Sequence, residues 1–177
     1  AQAGLVIDAA TLALIGKHRR LARAPAAERV CAELLALLAL PGASAWLARM
    51  DECGLLTSLF EELEPARRCA EVYYGPGGVL KHSLQVCARV DFLLANLRKI
   101  YPALARPLEE HFAARAAGGA PYRAVIMLAA LLHDVSKPET ARTIDGRLRF
   151  FEHDVRGASR TQKILRSLRL SRDQVEA

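Results

Sequence analysis

No stretch of this chain is both long and apolar enough to span a bilayer. Runs such as Cys31–Leu40 fall well short of the roughly 20 residues that a hydrocarbon core demands. No charged-then-apolar leader opens the sequence, which points to the cytoplasm. Cys31, Cys53, Cys69 and Cys87 include no C-x-x-C pair, and each lies in or beside an apolar helical pattern. They read as reduced thiols of a cytosolic protein, and their spacing does not suit a four-thiolate zinc site. There is no internal repeat and no low-complexity tract.

What is present fits one domain, or one domain with an extension, in 177 residues. Hydrophobic residues make up 52% and the mean hydropathy is +0.11, so the chain can bury a core. Lys and Arg total 25 against 19 Asp and Glu, a formal charge of +6 carried mostly by Arg. Guanidinium groups favour bidentate phosphate contacts, so a nucleic acid or another phosphorylated partner is in keeping with this balance. Coding bias towards Ala and Arg is the competing explanation. The sequence opens at Ala1 without methionine, which we read as a piece of a longer product.

Breakers and caps divide the chain into short helices. Asp8 is expected to cap Ala9–Ile15, with Gly16 closing it. A basic segment follows, Lys17-His18-Arg19-Arg20 and Arg23. Pro25–Leu40 is helical in period and is broken by Pro41-Gly42. Ser44 is expected to cap Ala45–Cys53, and Leu55–Leu63 runs up to Pro65. Tyr73-Tyr74-Gly75-Pro76-Gly77-Gly78 is the strongest break, and it reads as a domain linker or a loop over a site. We place 1–70 in a helical first region, 71–78 in this linker or loop, and 79–177 in a second helical region. In the second region Val79–Lys99 and Glu109–Arg115 are helical, and Gly118-Gly119 is a loop. Ala124–Lys137 is a central buried helix that stops before Pro138. Thr140–Ile144 and Arg147–Phe151 flank Asp145-Gly146, a hairpin signal. A helix over Val155–Leu168 and a capping box at Ser171–Gln174 complete the pattern. The fold class is all-α with one small β-hairpin.

Four residues carry the chemistry. His133-Asp134 ends the apolar central helix, and a buried Asp demands a partner or a metal. His82 lies near the start of another helix, and His153 follows the hairpin. Imidazoles with a carboxylate suit a divalent transition metal with mixed N/O ligands. A solvated helix end, or His and Asp satisfying one another in a core, is the alternative. Arg156, Arg160, Lys163 and Arg166 form a basic stripe at helical spacing, which is either an RNA contact or a solvated face.

The order H…HD…H resembles the HD-domain superfamily of metal-dependent phosphohydrolases. VLKHSLQV around His82, LLHDVSKP around His133 and RLRFFEHDVRGA at the hairpin are similar to the HD domain of bacterial tRNA nucleotidyltransferase and poly(A) polymerase-like proteins. IDAATLALI and AERVCAELLALLALPGASAWLARMDECGLLTSLFEEL resemble the helical neck that follows the catalytic head in those enzymes. The resemblance departs from the family at three points. Ser136 stands where HDxGKP has glycine. The later Asp ligand has no match before Ala177, and is expected beyond it because Asp173 comes too early. The Gly-rich nucleotidyltransferase head has no match in this sequence.

The resemblance implies hydrolysis of RNA-type phosphoesters by a 2′,3′-cyclic phosphodiesterase, 2′-nucleotidase or phosphatase. His82, His133 and Asp134 would hold the metal, with His153 as a further ligand or proton donor and Lys137 on the substrate phosphate. His133, Asp134, Lys137 and His153 are then the catalytic set. Mn²⁺, Co²⁺, Ni²⁺ or Fe²⁺ suit such ligands better than Mg²⁺. The rival is a non-catalytic module with an idle HD site, binding RNA or tRNA through its basic neck segment and the Arg156–Arg166 stripe.

Overall fold

The computed structural model describes residues 6–116 and 119–176. Gly118 of the expected Gly118-Gly119 loop lies outside the described residues. Among the described residues the chain is all-α apart from one hairpin, as expected.

Helix α1 (Ala9–His18) begins where Asp8 accepts a hydrogen bond from the Thr11 amide at 2.9 Å. Gly16 does not end it; the helix runs on to His18 and passes into a 3-10 turn over Arg19–Arg23. A single glycine inside a helix costs only about 1 kcal/mol, which tertiary packing overrides. Helices α2 (Ala27–Leu38), α3 (Ala43–Glu52) and α4 (Leu55–Leu59) follow. Ser44 is not the cap of α3. Gly42 occupies that position, and the carboxylate of the distant Asp91 accepts from the Gly42 amide at 3.2 Å and the Ser44 amide at 2.8 Å. The expected helix over Leu55–Leu63 breaks at Phe60 into α4 and a 3-10 turn, Glu61–Leu63.

The Tyr-Tyr-Gly-Pro-Gly-Gly break is a one-turn helix, α5 (Glu71–Tyr74), and a glycine turn leading into α6 (Gly78–Ala95). A short α7 (Leu97–Ile100) and α8 (Ala105–Ala113) precede α9 (Tyr122–Leu132). The central helix is therefore shorter than its apolar run. It ends at His133, and Pro138 does not stop it but lies in the first turn of α10 (Lys137–Thr140), where its missing amide hydrogen costs nothing. Strands β1 (Ala141–Ile144) and β2 (Arg147–Phe150) form the antiparallel hairpin about Asp145-Gly146. Helix α11 (His153–Ser167) begins two residues earlier than its pattern implied. Ser171 and Gln174 then exchange the two hydrogen bonds of the expected capping box before α12 (Arg172–Glu176).

One apolar core joins residues on both sides of the 71–78 break. Leu38 and Leu47 from the first part and Leu80, Cys87, Met127 and Leu131 from the second are all fully buried in it. Asp91 of α6 adds a polar tie. It caps α3 and pairs with Arg123 of α9, itself nearly buried. The cysteines are free, and burial pushes the Cys87 thiol up to about 12, as befits a core residue.

Candidate functional site

The candidate site is a His/Asp cluster at the meeting of α6, the α9–α10 turn, and the start of α11. His82 lies one turn into α6. Its position is set by Gly78, whose φ of +53° starts the helix. A Cβ at Gly78 would stand 2.3 Å from the Cys69 carbonyl oxygen, so only glycine fits this entry. His133 caps the C-terminal end of α9, and Asp134 follows in the turn, almost fully buried. Ser136 needs no left-handed conformation (φ −93°), so the turn forms without the glycine that the resemblance expects. Gly157 of α11 packs beside this turn: a Cβ there would stand 3.7 Å from the His133 carbonyl oxygen and 3.8 Å from the Ser136 hydroxyl, ordinary contact distances.

Distances centre on one carboxylate. Asp134 Oδ2 lies 3.1 Å from His133 Nε2 and 3.6 Å from His82 Nε2. It accepts a hydrogen bond from Lys137 Nζ at 2.7 Å. His153 Nε2 is 3.9 Å from Asp134 Oδ1. One ligand atom each from His82, His133 and Asp134 lie within 4.8 Å of one another. His153 stands beside this trio rather than within it. Two rings are oriented by main-chain acceptors: His133 Nδ1–H donates to the Ala130 carbonyl at 2.9 Å, and His153 Nδ1–H to the Phe150 carbonyl at 2.6 Å. Both Nε2 atoms are thereby aimed at Asp134. Such anchoring of the far nitrogen is what metal-ligating imidazoles need.

The electrostatics divide the imidazoles. Burial pushes the His82 pKa down despite the nearby carboxylate, which favours the neutral imidazole. The hydrogen bond to Asp134 outweighs burial and pushes His133 up. Burial would raise Asp134, but the hydrogen bonds from His133 and Lys137 win and hold it down to about 2. Burial would also lower Lys137, and its bonds to Asp134 and Tyr74 outweigh that and raise it. The residues present fit a divalent cation with mixed nitrogen and oxygen ligands: the imidazoles of His82 and His133, the latter anchored through its far nitrogen, and one ionised carboxylate within a common reach.

Tyr74 is the site residue that sequence reasoning did not single out. Its ring stacks on His82 with centroids 4.4 Å apart, and its hydroxyl accepts from Lys137 Nζ at 2.9 Å. The signal was the glycine-rich break itself, which forms one wall of the site. The Arg156–Arg166 stripe is exposed along α11, and two of its members are engaged by acids. Arg156 pairs with Glu152 at 3.5 Å and Arg160 with Glu139 at 3.9 Å. Asp173, too early for the later ligand of the resemblance, lies in the first turn of α12.

Residues 4–67 match a protein family described as the probable RNA- and SrmB-binding site of polymerase A. The match covers α1 to α4 and the 3-10 turns after them, and stops short of the cluster. It supports the poly(A) polymerase-like neck and RNA as a partner of this region. No curated protein matches the chain. No helix among the described residues is long and apolar enough to cross a membrane.

Proposed function

We propose that this chain couples an RNA-binding neck, residues 4–67, to an HD-type phosphohydrolase centre acting on RNA-type phosphoesters. The substrates in view are 2′,3′-cyclic phosphodiesters, 2′-nucleotides and phosphomonoesters. The observation that carries the reading is the approach of His82, His133 and Asp134, from separate elements, to within 4.8 Å. These three would hold a divalent ion, with His153 at its flank, and that ion would supply an acidified water and a Lewis acid for the phosphoryl group. Lys137, released from part of its contact with Asp134, binds a substrate phosphate oxygen and balances developing negative charge. Tyr74 positions Lys137 through its hydroxyl and stacks against His82, limiting where that ring can swing. His153 lies where it can give a proton to a leaving oxygen.

The test is hydrolysis of 2′,3′-cyclic AMP, 2′-AMP and p-nitrophenyl phosphate with Mn²⁺, Co²⁺, Ni²⁺ or Mg²⁺. Turnover in the wild type that is lost in His82→Ala and Asp134→Asn supports the reading. Failure of any of these ions to bind, with no turnover, overturns it. One observation favours the second reading, a non-catalytic RNA-binding module: the family match lies entirely in the neck, while the Lys137 ammonium already neutralises Asp134. In that case RNA binding persists, and the cluster variants leave it unchanged.

A further inference from the structure

We propose that the outer face of the β1–β2 hairpin is a ledge for single-stranded RNA. This rests on reading the adjoining cluster as a phosphoester site. The register sets Arg142 opposite Arg149 and Ile144 opposite Arg147. Residues opposite each other in an antiparallel pair, and residues two apart on a strand, share a face. Arg142, Ile144, Arg147 and Arg149 therefore project from one side, and all four are exposed. Phe151, 64% exposed, continues that side and lines one open depression with Ile144, Arg147, Arg149 and the turn residue Asp145. The other side serves the protein. Phe150 packs on the core and lies 5.4 Å from Lys137 Nζ, and the Leu148 carbonyl accepts from the Tyr73 hydroxyl at 3.0 Å.

Like charges set directly opposite each other across a hairpin are unfavourable. Here three guanidinium groups share one small face, and among the described residues none has an acid partner. Arg142 donates only to main-chain carbonyls, those of Ala141 at 2.7 Å and Glu139 at 3.4 Å. Asp145, in the turn, is the one acid between the strands. The α11 stripe differs, since Glu152 and Glu139 already lie on two of its members. A face of unpaired arginines beside exposed Ile144 and Phe151 complements a phosphodiester chain whose bases stack on apolar and aromatic groups. An acidic protein segment would use the charge but not the exposed ring. The hairpin runs directly into the element that carries the cluster's fourth residue. His153 follows Phe151 by two residues, and its ring is fixed by the Phe150 carbonyl.

The experiment compares the whole chain with R142Q/R147Q/R149Q, whose exposed changes leave the core untouched. Binding of a fluorescein-labelled single-stranded oligonucleotide is followed by anisotropy across salt, and p-nitrophenyl phosphate turnover is followed in parallel. Three phosphates neutralised on a single strand give a log–log salt slope near −2, so their loss should weaken binding on the order of fiftyfold at 0.15 M salt. That loss, with the slope falling by about 2 and turnover of the small ester unchanged, supports the ledge. The same binding loss when no variant, wild type included, turns over the small ester still supports the ledge and removes the hydrolytic reading instead. Unchanged affinity and slope overturn the ledge, as does a wild type that binds polyglutamate in preference to RNA. Phe151→Ala supplies a second readout: weaker binding at an unchanged salt slope is expected from lost stacking, and no change in affinity counts against the ledge.

Discussion

Replacing Gly78 by alanine should damage the protein far more than replacing Gly42, although both glycines have positive φ. At Gly42, φ is +79° and nothing lies within 4 Å of a new Cβ. The cost there is backbone strain alone, about 1–2 kcal/mol. At Gly78 the same strain is joined by a Cβ placed 2.3 Å from the Cys69 carbonyl oxygen, 2.8 Å from that of Ala66 and 2.9 Å from that of Arg67. These are main-chain atoms, and Cys69 is held in turn by the Val79 amide at 3.0 Å. No rotamer change relieves the clash, so α6 must move. Overpacking of this kind adds about 1–3 kcal/mol, for a total of roughly 2–5 kcal/mol with the strain included. At about 2–4 °C per kcal/mol for a chain of this size, the midpoint should fall by roughly 10 °C, against about 4 °C for Gly42→Ala. The assay is thermal unfolding followed by circular dichroism, with Ni²⁺ titration by calorimetry at a temperature where both variants are folded. Because His82 lies one turn into α6, only Gly78→Ala should also lose the metal affinity proposed for the cluster. Equal midpoint losses in the two variants would refute the packing argument, and unaltered Ni²⁺ affinity in Gly78→Ala would refute the claim that this glycine places His82.

Asp91→Ala should cost about 3–5 kcal/mol in denaturant titration, because it strands the nearly buried Arg123 charge and uncaps α3 at the same time. Asp134→Asn should flatten the acid limb of the stability profile. With a folded pKa of about 2 against an ordinary 3.8, the carboxylate contributes about 2 kcal/mol of stability. That stability is present above pH 4 and lost as the pH falls through 2, so the wild type should lose it and the variant should not; it is read from urea midpoints in metal-free buffer. Charge reversal at Lys163 and Arg166, the stripe residues with no acid partner among the described residues, should lower both RNA affinity and its salt dependence if the stripe contacts phosphates. Unchanged anisotropy titrations would return α11 to the role of a solvated face.

Local chemistry made much of the architecture legible. Asp8 and Ser171 announced helix starts through side chains that reach nearby backbone amides, and Asp145-Gly146 announced the hairpin. The cluster was legible because His82, His133-Asp134 and His153 each sat at the edge of an element. What escaped were partnerships made across the chain. Nothing near Ser44 indicates that Asp91, far along the sequence, caps α3, since that bond exists only once α3, α6 and α9 pack. Tyr74 escaped for the same reason: its stacking on His82 depends on the turn angle at Gly75–Gly78. The end of α9 was misplaced because the apolar run continues through Val135, and a buried turn is as apolar as a buried helix. Pro138 then marked the opening of α10 and not the end of α9.

The triple contact of Asp91 has a mechanical consequence. One carboxylate fastens the first turn of α3, in the segment matched to the RNA-binding family, to α6, which carries His82, and to α9, which ends at His133. Sliding one half of the molecule against the other would have to tear these bonds from a site with little access to water. The tie resists such sliding where the first part of the chain meets α6 and α9. If the neck grips a strand and the cluster acts on it as proposed, this tie would set the offset between the two, in the way a jig holds work against a blade.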